Sequence, residues 1–291
     1  MTAVPIQIES GTPVPQAGAS RVDVASLERA LRAAIAGDVR FDRISRALYS
    51  TDASVYQIEP LGVVIPRSRD DIIQTVRLCH AFRCPLTMRG GGTSQAGQAV
   101  GAGVVLDTSK HVNRLLEVDP ARRIARVEPG IVLDELNAQL RPHGLRFAPD
   151  ISTASRATLG GMMANNSAGA RSVIYGITLH HVLEQHVVFA DGSLGHLRDL
   201  SAAELDTVSV GDSIHARGCR TVRRLASDCA PEIERRYPKL LRRVGGYNLN
   251  EFAAGDQPFN LTRLMVGSEG TLAVVLEATV RLVPLPTAKA V

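Results

Sequence analysis

The segment Met88-Arg89-Gly90-Gly91-Gly92-Thr93-Ser94 constrains the chain more than any other. Three consecutive glycines are costly inside a helix or a strand, so the backbone must turn there. Freed of side chains, such a stretch can take positive φ and aim successive N–H groups at one point, which makes an anion-binding nest. Pro85–Met88 before it reads as a short strand and Val104–Asp107 after it as another. With the Thr93 and Ser94 hydroxyls and no carboxylate nearby, the expected guest is a phosphate or pyrophosphate. A plain tight turn accounts for the same string about equally well.

Two familiar phosphate motifs fail here. A Walker A loop needs Lys and Ser or Thr after its last glycine; Gly92 and Gly97 have the spacing, but Gln98 and Ala99 follow. A Rossmann fingerprint over Gly90 and Gly92 would need glycine where Gln95 stands, and a helix where a strand follows.

The rest of the chain supplies alternating elements. Val24, Leu27, Leu31 and Ile35 predict a helix over 22–37, and Arg43–Asp52 reads as polar connection. Val63–Ile65 reads as a strand, and Ser68 with Asp71 has capping-box spacing for a helix that runs to about Arg83. Arg123–Glu128 predicts a strand, Ile131–Leu140 a helix and Thr158–Asn166 a small-residue helix. Val182–Ala190 predicts a strand, Asp212–Tyr237 helix, and Leu264–Val266 and Leu272–Val283 two more strands around Gly267-Ser268-Glu269-Gly270-Thr271. Together these predict an α+β fold. Met1 to Arg21, with three prolines, reads as a flexible tail.

Composition excludes several classes. Of 291 residues 45% are hydrophobic and 21% charged, the range of a globular protein. No stretch approaches the roughly 20 apolar residues of a membrane helix. Aromatics are 4% with no Trp, too few for a nucleic-acid stacking platform. The net charge of +4 comes mostly from arginine, spread along the chain. Arg217 to Arg243 is a local concentration, read as a solvated helical face, with a dock for an acidic partner as the alternative. Cys79, Cys84, Cys219 and Cys229 lack zinc or iron–sulfur spacing, and free thiols without a leader fit the cytoplasm.

The triple-glycine loop, the segment Pro149 to Ala170 and the turn Gly267-Ser268-Glu269-Gly270-Thr271-Leu272, in this order, resemble the FAD-binding domain of the vanillyl-alcohol oxidase (PCMH) type. The branch they are most similar to holds the D-lactate, glycolate and D-2-hydroxyglutarate dehydrogenases. Asn165 to Gly176 looks like members fused to an iron–sulfur module, and Gly246-Tyr247-Asn248-Leu249 also matches. The resemblance covers about Arg43 to Pro286.

It implies a two-subdomain α+β domain over 23–286, split into about 43–108 and 109–286. A linker over 287–291 would lead toward a substrate cap that the chain lacks. It implies non-covalent FAD, since the loop has no His for a flavin bond. The backbone amides of Arg89, Gly90, Gly91, Gly92, Thr93 and Ser94 would hold the pyrophosphate, with Met88 and Gly97 also cofactor-binding. Pro149, Asp150, Ser152, Thr153, Thr158, Gly160, Gly161, Asn165, Asn166, Ser167 and Ala168 would line the cofactor. Gly267, Ser268, Glu269, Gly270, Thr271, Leu272 and Ala273 would close the site; Ala273 stands where the family usually has Gly. The implied reaction is oxidation of a D-2-hydroxy acid by hydride transfer to FAD, with electrons leaving to an iron–sulfur or other acceptor module. No catalytic base is assigned, the eight histidines being weak candidates. Two alternatives stay open: a stand-alone FAD-binding subunit completed by a partner chain, and a non-flavin phosphate or nucleotide binder.

Overall fold

The computed structural model describes residues 22–253 and 257–286. The expected tail over Met1 to Arg21 and the expected linker over 287–291 lie outside the described residues.

The first sheet holds β1 (Asp38–Arg40), β2 (Gly62–Ile65), β3 (Leu86–Arg89) and β4 (Val104–Asp107), in the order β1-β2-β4-β3. β2, β4 and β3 run parallel and β1 is antiparallel to β2. Every residue of β2 and β4 is buried. Strands covered on both faces read as unbroken apolar runs, which is why both were legible. Helix Arg69–Ala81 packs Ile72, Ile73, Val76 and Cys79 into this core, beside Leu27 and Leu31 of helix Val24–Ala34. Ser68 caps the longer helix by accepting from Asp71 N at 3.1 Å. The reciprocal half of the expected capping box is not made. Asp71 instead accepts from Arg67 N (2.8 Å) and Ala36 N (2.9 Å), tying the two helices' ends together.

The second sheet is antiparallel. It holds β5 (Leu115–Asp119), β6 (Ile124–Val127), β8 (Val182–Phe189), β9 (Leu194–Leu197) and β10 (Ala273–Arg281), in the order β5-β6-β10-β8-β9. A short ribbon pairs β7 (Leu145–Arg146) with β11 (Val283–Pro284). Along β10 burial alternates, with Val274, Leu276, Ala278 and Val280 inside. Val274 and Leu276 join the first sheet's core, so the two sheets share apolar packing. Ala278 and Val280 join a second core built on Leu133, Leu136, Phe147, Leu159 and Met162. Val187 and Phe189 point to the other face of β8, under helix Ile214–Asp228.

Three elements correct the sequence expectations. The polar connection expected over Arg43–Asp52 contains helix Arg43–Leu48, started by Asp42 accepting from Ser45 N at 2.9 Å, and β1 precedes it. β5 was not expected; it forms a hairpin with β6, and Arg123 in the turn takes φ 54°. Leu264–Val266 is not a strand but the end of a helical turn over Thr262–Met265. Asn260 Oδ1 accepts from Thr262 N at 2.9 Å and starts that turn, and a three-residue apolar run cannot reveal its period. Among the described residues no helix is long and apolar enough to cross a membrane.

Candidate functional site

β3 delivers the glycine loop to the carboxyl end of the parallel strands, the edge where open α/β sheets place ligands. The expected positive φ across the triplet holds only at Gly92, at 64°. Gly90 and Gly91 are glycine for a different reason. A Cβ on Gly90 would collide with the Thr158 hydroxyl, and one on Gly91 with the Arg156 carbonyl oxygen. The segment Arg156–Thr158 thus lies directly against the loop.

Behind the loop several polar groups pair with one another. The Arg89 guanidinium turns away from the cleft, stacks 5.1 Å from the Tyr49 ring centroid and donates to Ala99 O at 3.2 Å. Tyr49 donates its hydroxyl to Asp107 Oδ2 at 2.6 Å, and burial together with this bond pushes the phenol pKa up. Ser109 N donates to Asp107 Oδ1 at 2.8 Å, and Ala99 N to Asp52 Oδ2 at 3.3 Å. Two carboxylates therefore stand beside a loop expected to have none near it, each engaged by protein donors.

In front of the loop opens a cleft of about 1410 Å³. That exceeds the roughly 300–1,000 Å³ of ordinary small-molecule pockets and suits a longer, dinucleotide-sized guest. Its opposite wall is built on helix Leu159–Asn165. Thr158 starts the helix by accepting from Gly161 N at 3.3 Å, and Asn166 ends it in the left-handed region at φ 55°. Asn166 is fully buried and its Oδ1 accepts from Leu179 N at 3.0 Å. The turn after Val266 locks onto this helix end, with Gly267 N donating to Met163 O (2.9 Å) and Glu269 N to Ala164 O (3.0 Å). Asn165 Nδ2 then donates to Glu269 Oε1 at 3.1 Å across the cleft wall. Burial raises the Glu269 carboxyl pKa, against the bond from Asn165. Tyr247 pairs its hydroxyl with Thr271 Oγ1 at 2.8 Å, and Asn248 donates to Val266 O at 2.7 Å. Gly246–Leu249 therefore buttresses the turn.

Of the residues singled out from sequence, Met88, Gly90, Gly91, Gly92, Thr93 and Ser94 line the cleft, with Ser152, Thr153, Thr158 and Gly161. Asn165, Ser167, Ala168, Glu269, Gly270, Thr271, Leu272 and Ala273 line it too. Eight do not. Arg89 points behind the loop, and Gly97 is packed against Tyr56. Asp150 accepts from Arg171 N at 3.1 Å, beside Pro149. Gly160 N donates to Pro129 O at 2.7 Å. Asn166, Gly267 and Ser268 are buried supports. The cleft also reaches Val76, Cys79, His80, Arg83, Cys84 and Thr87, and Val188 to Ala190, none of which was expected to contact the cofactor. No local sequence signal marks them: the cleft runs the length of β3, from the glycine loop at its carboxyl end to the turn at its amino end. His80 alone of the eight histidines lines the cleft. The arginines of 217–243 are largely engaged, Arg223 with Asp206 at 2.9 Å and Arg235 with Glu232 at 2.7 Å.

This geometry fits a flavin dinucleotide. A side-chain-free loop at a strand end offers amides to a pyrophosphate, and the small residues of 152–168 admit a flat body. The fold and the cleft define an FAD-binding domain of the PCMH type, and residues 60–198 match the family model described as FAD binding domain. That match places an FAD-binding domain in the chain, and its cofactor is FAD. It is 37% identical over 263 residues to a D-2-hydroxyglutarate dehydrogenase of Pseudomonas putida, covering 89% of this chain and 26% of that one. It is 33% identical over 260 residues to the glycolate oxidase subunit GlcD of Bacillus subtilis, covering 88% and 44%. The chain thus spans about a quarter and under half of these relatives' lengths. A solved alkyldihydroxyacetonephosphate synthase shares the fold, with a TM-score of 0.64 and 21% identity over 91% of this chain and 44% of that one.

Proposed function

We propose that the chain is the FAD module of an oxidoreductase acting on a D-2-hydroxy acid of the lactate, glycolate or 2-hydroxyglutarate class. One observation carries the reading: Gly90 and Gly91 leave no room for a side chain and present their backbone at the mouth of a dinucleotide-sized cleft. The names of the two relatives support the substrate class. In this reading the amides of Gly90–Ser94 and the Thr93 and Ser94 hydroxyls hold the pyrophosphate. Ser152, Thr153, Asn165 and Ser167 give neutral hydrogen bonds along the cofactor, and Glu269 fixes Asn165. When bound, FAD supplies the acceptor for the hydride leaving the alcohol carbon. Binding is non-covalent, because no His stands between Arg89 and Gln98. Two subdomains meet at the cleft, one about the first sheet and one about the second. Electrons leave to an iron–sulfur or other acceptor module. The free thiols among the described residues fit the cytoplasm.

A second reading, a subunit completed by another chain, has support in the glycolate oxidase relative, itself named a subunit. Both readings share one test. The purified protein, or its apo form mixed with FAD, should take up one FAD per chain and release it into the supernatant on acid denaturation. A chain that binds inorganic phosphate but no FAD leaves only the non-flavin alternative. Dye reduction with D-2-hydroxyglutarate, glycolate or D-lactate by the FAD-loaded chain alone would show that no partner is needed.

A further inference from the structure

Helix Arg69–Ala81 ends in a Schellman motif. Cys84 N donates to Cys79 O at 2.8 Å, Arg83 N donates to His80 O at 3.0 Å, and Arg83 takes φ 53°. These are the two hydrogen bonds and the left-handed residue of that cap. The same geometry brings the side chains three positions inside and two positions outside the helix end into contact, where apolar residues usually meet. Here both are cysteines, and both are free. Each is nearly buried, at 2% and 7% exposure, yet both line the candidate cofactor cleft. The cleft is thus the way by which a small reagent reaches them.

We propose that Cys79 and Cys84 are a redox-modification site that closes to an intramolecular disulfide in the cleft wall. The two thiols are chemically unequal. The interaction between the two thiols lowers the Cys84 pKa to about 7 and, with burial, pushes that of Cys79 up. Cys84 is therefore the attacking thiolate near neutral pH. Its sulfur attacks a small-molecule disulfide, forming a mixed disulfide and expelling one thiolate. Cys79 then gives up its proton and attacks the Cys84 sulfur, expelling the second thiolate. The protein loses two electrons and two protons, and the small disulfide becomes two thiols. The new bond joins the end of the helix to the residue two positions before β3, the strand that carries the glycine loop.

The sequence makes the test direct. Arg77, Arg83 and Arg89 place the two cysteines in adjacent tryptic peptides, residues 78–83 and 84–89. The reduced full chain is incubated with glutathione disulfide, quenched in acid, blocked with N-ethylmaleimide and digested without reductant. The expected product is the linked pair 78–83/84–89, two hydrogens lighter than the separate peptides and split by dithiothreitol. Cys219, whose thiol burial pushes up to about 11, keeps its maleimide label. Cys79→Ser stops at a glutathione adduct on Cys84, and Cys84→Ser leaves Cys79 unmodified. Recovery of both wild-type peptides fully labelled with maleimide overturns the proposal. So does a lasting glutathione adduct on wild-type Cys84. The wild-type peptide map decides the matter even where a variant does not fold.

Discussion

The two walls of the cleft are made by opposite means. The glycine-loop wall works by what it lacks: at Gly90 and Gly91 a Cβ has no room, and the surface is main chain. The facing wall works by side chains drawn from three distant stretches. There Asn165 meets Glu269, Tyr247 meets Thr271, and the buried Asn166 holds Leu179 N. A wall of bare backbone tolerates no addition. A wall of paired side chains tolerates an exchange that keeps the pairing.

The largest effect should come from breaking the bare wall. Gly91→Asp places a side chain against the Arg156 carbonyl and a negative charge at the proposed pyrophosphate position. Bound FAD, read from visible absorbance per chain, should fall at least about 100-fold in affinity, since both a clash and charge repulsion oppose binding. Undiminished FAD content in the variant would remove the loop from the cofactor site.

On the side-chain wall the largest effect is expected at Asn166. Asn166→Ala puts alanine at φ 55°, about 1–2 kcal/mol unfavourable. It also strips the buried Leu179 N–H of its acceptor, worth about 1–3 kcal/mol. A loss of about 3 kcal/mol in denaturant unfolding should result, from the sum of those two effects. Asn166→Gly should lose only the hydrogen-bond part. Equal losses in the two variants would mean that the left-handed backbone is not under strain.

The same contrast explains what the sequence could reveal. Absent side chains are written in the chain as Gly90-Gly91-Gly92, and buried parallel strands as Val63-Val64-Ile65 and Val104-Val105-Leu106, so the first sheet and its loop were legible locally. The reason for the glycines was not: only Gly92 needs positive φ, and the partners of the other two lie 66 residues or so further along, at Arg156 and Thr158. The second wall was legible only as a resemblance, because no local rule predicts that Asn165 will meet Glu269. The short apolar run at Leu264–Val266 misled, being too brief to show a period. Cys79 and Cys84 were visible as cysteines, but their contact depends on the helix cap between them.

Within the bare wall, its two glycines should behave differently. The obstacle at Gly90 is the Thr158 side chain, and the obstacle at Gly91 is main chain. Gly90→Ala should destabilise by about 1–3 kcal/mol as an overpacked site. Thr158→Ala alone should cost about 1 kcal/mol through its lost N-cap. In the double variant the alanine at 90 meets less, so the two losses should fall short of additive by about 1 kcal/mol. Gly91→Ala combined with Thr158→Ala should show no such relief. Strict additivity for Gly90 with Thr158 would mean that the loop moves away instead.

The smallest effect separates charge from pairing on the second wall. Burial raises the Glu269 carboxyl pKa above its ordinary 4.5, so the fold disfavours its ionised form. Between the unfolded and the folded value the native chain binds more protons than the unfolded one, and stability falls as pH rises through that window. Above it the ionised carboxylate carries its full penalty. Below about pH 4.5 the penalty is absent, because the group is protonated in both states. Glu269→Gln keeps an acceptor for Asn165 and removes the charge. Its melting point should therefore lie slightly above wild type at pH 7 and merge with it near pH 4. A lower melting point at pH 7 would show that the carboxylate holds the wall through its charge, and that this wall, like the glycine loop, is intolerant of exchange.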